Sequence, residues 1–223
     1  MEKSTRPDIS CAVHQCARFC ANPKVKHAEA VKRIGRYLLA TKDKGLILSP
    51  TKGGMECWVD ASHASEWSNK SSTDDPNTAR SRMGYAITYA GCPMHWASKM
   101  QTEIALSSTE AEYIALSQSM REVIPIMWLL QDAADHGIEF INSKPKVHCT
   151  IFEDNDGAIE IANVPKMRLT KHLNLKYHHF REEVKKGTIS IHHVGTKDQM
   201  ADIFTKPLEE GLFTKLKHMM IGW

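Results

Sequence analysis

Residues 83–98 read MGYAITYAGCPMHWAS. Two runs rich in Tyr, Ile and Trp, 83–90 and 93–98, flank the tight link Gly91-Cys92-Pro93, and this pattern predicts a β-hairpin. Working outward, 55–61 is a third strand-like run upstream, and Val147–Glu153 and Thr188–Val194 are two more downstream. Ser65–Arg82, between the first strand and the hairpin, is polar, carries Asp74-Asp75-Pro76 and is expected to be an exposed loop. A long helix is predicted from Ser107 to Asp135, capped by Ser108 or Thr109, with Pro125 as a point where it could kink or split. Shorter helices are predicted over 156–163 and over 171–186, the latter ended by Gly187, and one or two over 198–218. The order β-β-β-α-β-α-α-β-α, antiparallel first and then helix-crossed, predicts an α/β fold with a mixed sheet and helices on its faces.

Ahead of the first strand, residues 8–22 and 27–40 read as two helices, separated at Asn22-Pro23. Lys52-Gly53-Gly54 marks a boundary, giving a helical segment over 1–52 and a main domain over 53–223. The 223 residues are 42% hydrophobic and 25% charged, enough apolar material for a buried core and no argument for disorder. A net charge of +3 permits nucleic-acid binding without requiring it. The basic residues gather in 23–44 and 166–186, where they can face a phosphate backbone or form solvated helix faces. No export signal and no membrane-length apolar run are expected, so the six cysteines read as reduced, intracellular thiols. Cys16 and Cys20 have a zinc-compatible spacing but no second pair, and small apolar packing is the better reading. Of the tryptophans, Trp58 and Trp96 are expected in the core, while Trp67 and Trp128 could stack on bases.

Four carboxylates fall where strands end or helices begin. Asp60 lies in the first strand, Glu110 opens the long helix, Asp154 ends the fourth strand, and Asp202 starts the last helical region. An acid inside an apolar strand costs several kcal/mol if buried and unpaired, so Asp60 requires a partner or a metal. Four acids sharing one pocket would resist ionisation, and hard divalent cations such as Mg²⁺ or Mn²⁺ remove that penalty. Spacing alone leaves their convergence open, and periodicity alone does not choose between Glu110 and Glu112.

Several stretches resemble one family. Leu106–Leu116 (LSSTEAEYIAL), Thr170-Lys171-His172-Leu173 leading to Tyr177-His178, and Gln199–Leu208 (QMADIFTKPL) are similar to the ribonuclease H domain of copia-type retrotransposon Pol polyproteins. Ser4–Ile9 and Lys32–Leu38 resemble the end of the reverse transcriptase in the same polyproteins. The resemblance implies a ribonuclease H-like fold, a five-stranded mixed sheet flanked by helices. It implies hydrolysis of the RNA strand of an RNA–DNA hybrid with two Mg²⁺ (Mn²⁺ substituting), leaving 5′-phosphate and 3′-hydroxyl ends. It places the metal-binding acids on Asp60, Glu110, Asp154 and Asp202 and chooses Glu110 over Glu112. Asp60 would bridge both ions, Glu110 and Asp154 would share the one near the attacking water, and Asp202 would complete the other site. The rest of the reverse transcriptase is the implied protein partner. The cytoplasm, within a virus-like particle, is the implied location, with the nucleus as a second.

The chain departs from the wider pattern twice. Val194-Gly195-Thr196 stands where cellular ribonucleases H carry a Gly-His pair, and Asp156 stands where the family usually has Gln, adding a negative charge near the acids. Substrate contacts are expected from Ser62, Ser107 and Asn155 beside the metals, reading 2′-hydroxyls, and from Lys171, His172 and Arg181 on phosphates. A catalytically weak or inactive module that binds hybrid or a reverse-transcriptase partner is the alternative function.

Overall fold

The computed structural model describes residues 1–64, 67–68, 73, 75–140, 147–163 and 175–223. Its sheet has five strands: β1 (Met55–Ser62), β2 (Arg82–Tyr89), β3 (Cys92–Met100), β4 (Cys149–Glu153) and β5 (Ile189–His193). Their order is β3-β2-β1-β4-β5. β1, β2 and β3 pair antiparallel, and β4 and β5 run parallel to β1. The helices are α1 (Ser10–Ala17), α2 (Val25–Ala40), α3 (Ser108–Asp135), α4 (Asp156–Asn163), α5 (Arg181–Lys186) and α6 (Glu210–Ile221). This is the mixed five-stranded sheet flanked by helices that the sequence predicts, in the predicted order.

Alternation along β1 sets the two faces. Met55, Cys57, Val59 and Ala61 point into the larger core with Leu116, Met120 and Val123 of α3 and with Ile151 of β4. Trp58 points the other way, toward a smaller core built from Ala86, Trp96, Ile203, Phe204, Met220 and Ile221. Asp60 is on that second side too, opposite Gly84 of β2. There, a β-carbon on Gly84 would lie 2.4 Å from Phe204 Cβ and 2.9 Å from Thr205 Cγ2. Only a glycine lets the 3₁₀ segment Met200–Phe204 lie this close to the sheet.

Several details differ from the sequence reading. Ser107 caps α3, its hydroxyl accepting from Glu110 N at 3.1 Å, whereas Ser108 or Thr109 was expected. Pro125 does not split the predicted element, and α3 runs unbroken to Asp135. The helix expected over 171–186 is a 3₁₀ turn, Leu175–His178, followed by α5, with residues 171–174 outside the described residues. Gly187 ends α5 in the left-handed conformation, as predicted. Part of the expected 65–82 loop is packed, since Thr78, Ser81 and Arg82 are buried.

The N-terminal segment rests on β3 and α6. Trp96 Nε1 donates to Glu2 O at 2.7 Å, and the buried Arg82 guanidinium pairs with His14 Nδ1 at 2.8 Å and with Gln15. Arg6 forks onto Asp8 at 3.0 and 2.8 Å, and Tyr37 OH donates to the same carboxylate at 2.6 Å, tying α2 to the turn before α1. Trp223 Nε1 closes the arrangement on Gly45 O at 2.9 Å. No helix among the described residues is long and apolar enough to cross a membrane.

Candidate active site

Three carboxylates from three elements converge at the end of β1. Asp60, Glu112 of α3 and Asp154, the residue after β4, each offer an oxygen, and the three oxygens lie within 4.8 Å of one another. Parallel pairing of β1 with β4 brings the first and third together, because Trp58 stands level with Phe152 two residues before each acid. The start of α3 supplies the second, whose carboxylate takes a hydrogen bond from the Ala61 backbone amide. Asp202 comes from the 3₁₀ segment that Gly84 admits, close enough to Asp60 to feel its charge and to share a side-chain hydrogen bond with it.

Gln199 fixes that segment. Its buried side-chain amide donates to Val59 O at 2.9 Å, and its Oε1 accepts from Ala201 N at 3.2 Å. One side chain thus pins the 3₁₀ segment to β1. The Thr205 hydroxyl donates to Asp60 Oδ2. Lys206 Nζ stands 2.7 Å from Asp202 Oδ1 and 3.8 Å from Asp60 Oδ1.

Burial dominates the electrostatics. It raises Asp60 above the ordinary carboxylate range, opposed by Lys206 and Thr205 and reinforced by Asp154. Glu112 goes well above that range through burial and the neighbouring charges of Glu153, Asp60 and Asp154. Asp202 is pushed up to about 7, by burial first and by Asp60 second. Such a cluster of acids that resist ionisation is what a divalent cation relieves. The donor set fits one: the ligands are hard oxygens, and Glu112 Oε2 is buried with no hydrogen-bond partner among the described residues. Asp60, Glu112 and Asp154 would hold one ion, and Asp60 with Asp202 a second.

No family model matches the chain. Known proteins do. It is 33% identical over 217 residues, 97% of its length, to the retrovirus-related Pol polyprotein from transposon TNT 1-94 of Nicotiana tabacum. It is 34% identical over 210 residues, 94% of its length, to that from transposon RE1 of Arabidopsis thaliana. The chain belongs to the copia-type retrotransposon Pol polyprotein family. It spans 15% and 13% of the length of these two Pol polyproteins. Among solved structures, it is similar to LC11-RNase H1 in complex with an RNA/DNA hybrid, at a TM-score of 0.41 and 14% identity, over 68% of this chain and 93% of that one.

In this Pol-family chain, Asp60, Asp154 and Asp202 stand where the sequence reading places them. Glu110 does not. Its Oε2 accepts from Leu106 N at 2.8 Å, so it closes the N-terminus of α3, and Glu112 takes the place beside Asp60 and Asp154. The fifth carboxylate near the cluster is likewise not Asp156. That side chain is 90% exposed and lies 3.8 Å from His193 Nε2. It is Glu153, fully buried on the core side of β4, with Oε1 accepting from Asn155 N at 3.2 Å. Of the expected substrate contacts, Ser107 caps α3, and Asn155 Oδ1 accepts from Ala158 N at 3.0 Å in the first turn of α4. Arg181 is committed to the protein, donating to Ile161 O and lying 6.0 Å from the Tyr113 ring centre. Ser62, at the end of β1, is half-buried, and Lys171 and His172 lie outside the described residues. Cys16 and Cys20 join no metal-competent group among the described residues, and none of the six cysteines is in a disulfide.

The sequence reading missed Glu112, Glu153, Gln199, Thr205 and Lys206. One of these carried a usable signal, and it is not Glu112: Ala111–Ser117 are all buried, so Ile114 and Ser117 on the line of Glu110 are covered as fully as Leu116 on the line of Glu112. Lys206 is four residues beyond Asp202, one helical turn.

Proposed function

We propose that this chain is the ribonuclease H of a retrotransposon Pol polyprotein, cutting the RNA strand of RNA–DNA hybrids during reverse transcription. The observation that carries this reading is the meeting of Asp60, Glu112 and Asp154 within 4.8 Å, with Asp202 alongside, in a chain of that family. Two Mg²⁺ ions, with Mn²⁺ able to substitute, are the proposed cofactors, supplying charge neutralisation at the scissile phosphate and a water acidic enough to attack at neutral pH.

The chain's own part is placement. Asp60 is held from two sides by Thr205 and Lys206, so its oxygens are fixed before substrate arrives. Glu112 is anchored by the Ala61 amide and held rigid by its place in the first turns of α3. Asp154 follows a strand locked between β1 and β5. These acids come from different elements, so the rigidity of the sheet sets their spacing and lets them hold a phosphodiester in line with a water. Cleavage then breaks the bond to the 3′ oxygen, leaving 3′-hydroxyl and 5′-phosphate ends. In the same reading, residues 1–52 are the end of the reverse transcriptase, the remainder of that enzyme is the protein partner, and the particle in the cytoplasm is the location.

The test is cleavage of a labelled RNA–DNA hybrid in Mg²⁺ and in Mn²⁺, beside single-stranded RNA and duplex DNA. We expect only the hybrid's RNA strand to be cut. Asp154→Asn is expected to lose at least about a hundredfold in cleavage, with hybrid binding retained. Cutting unchanged by that substitution would remove Asp154 from the site. Hybrid bound but never cut by the unaltered chain would favour a binding module.

A further inference from the structure

The acidic cluster has two unequal halves. Around Glu112 and Asp154 no ion pair is made among the described residues. Around Asp60 and Asp202 the chain supplies its own cation. Lys206 follows Asp202 by one turn, its backbone N–H donating to Asp202 O at 3.3 Å. Its Nζ sits 2.7 Å from Asp202 Oδ1 and 3.8 Å from Asp60 Oδ1, bridging the two carboxylates. Both acids are almost wholly buried, with side chains 1% and 3% exposed, while the lysine side chain is 34% exposed. Two buried carboxylates therefore share one counter-charge, carried by a flexible arm that reaches solvent.

We propose that Lys206 is a tethered counter-ion occupying the cation position between Asp60 and Asp202. The first divalent ion then binds at Asp60, Glu112 and Asp154, and the second enters only by displacing the Lys206 ammonium. The inference rests on the metal-dependent nuclease reading above. A like charge within about 4 Å opposes a divalent ion strongly in a partly buried site, so the ammonium and that second ion exclude each other. The lysine's four-carbon stem and its access to water give it somewhere to go. Without any cation, Asp60 and Asp202 would be left buried and uncompensated, the costly state for a pair of charges. Lys206 thus keeps the site folded before metal arrives and makes its filling stepwise.

The test titrates Mn²⁺ alone into the intact chain by calorimetry, without nucleic acid, and follows thermal unfolding in EDTA and in saturating Mn²⁺. Two binding steps are expected, the second weaker by at least about tenfold. Lys206→Met, and Lys206→Gln as a second neutral variant, should tighten the second step by at least about tenfold. Both should melt earlier than the unaltered chain in EDTA and recover in Mn²⁺. A lysine with a merely structural role would lower the melting temperature equally in both conditions and leave the second step unchanged; that result overturns the proposal. Asp154→Asn is the control for the underlying reading and should abolish the first step. A chain that binds no Mn²⁺, or whose first step survives that substitution, sinks the nuclease reading. An intact first step with an unmoved second step sinks only the role of Lys206.

Discussion

Glu110 and Glu112 are separated by one residue and by about 200° around the helix axis, and that rotation divides their work. Glu110 turns back to the Leu106 amide and, with Ser107, satisfies backbone donors at the start of α3. Glu112 turns onto the sheet and loses its solvent, and its ionised form becomes costly unless a cation joins it. Glu112→Gln is expected to lower hybrid cleavage by at least about a hundredfold, since even the outer partners of metal ligands are worth up to that. Glu110→Gln should keep cleavage within about threefold and cost at most about 1 kcal/mol of stability. Rate measurements on the two variants, beside their melting temperatures, check this; equal losses of rate would return Glu110 to the site. Periodicity alone does not choose between them, because Ala111–Ser117 are all buried, and both glutamates lie inside the stretch that carries the motif resemblance.

At the level of elements, the acids meet because a parallel crossover, an antiparallel hairpin and a helix start share one end of β1. The last piece, Met200–Phe204, depends on a missing side chain. Gly84 leaves the space that Phe204 and Thr205 fill, and Gln199 pins the segment to β1. Gly84→Ala should push that segment off β2, lowering stability by about 1–3 kcal/mol, as overpacking does, and weakening Mn²⁺ binding through Asp202. A melting curve and a Mn²⁺ titration check this, and a variant with the parent's values in both would show that the segment is not held there by close approach. The strands and their order were legible from alternation and turn residues. The role of Gly84 was not, because an isolated glycine in a strand signals close approach without saying to what.

The whole molecule places several buried carboxyls around one point, and this gives metal-free stability a particular dependence on pH. Asp60, Glu112, Glu153 and Asp202 all have native values raised above the ordinary range. For Asp202 the rise is from 3.8 to about 7. The folded chain therefore keeps protons that the unfolded chain releases, and the advantage is full below the ordinary value and lost as pH climbs through the native one. In EDTA the melting temperature should fall between about pH 5 and pH 8, and saturating Mn²⁺ should restore it at the higher pH. Asp202→Asn removes one of these groups, so at about pH 8 it should melt at least about 3 °C above the parent in EDTA and match it at about pH 5. A variant that melts below the parent at the higher pH would show Asp202 to be stabilised as an anion. At this scale hydrogen bonds of Arg82 with His14 and Gln15, of Trp96 with Glu2 and of Trp223 with Gly45 join the N-terminal segment to the sheet and to the end of the chain after α6. The sequence by itself determined the elements, their order along the chain and the mixed sheet, and its motifs pointed to three acids that the structure brings together, because periodicity, turn residues and local motifs are short-range properties. Only the tertiary structure decided which glutamate faces the cluster, which carboxyl is the fifth and which lysine lies between Asp60 and Asp202. Those outcomes depend on how far each backbone is rotated and how closely it approaches its neighbour, quantities set by packing between residues distant in the chain.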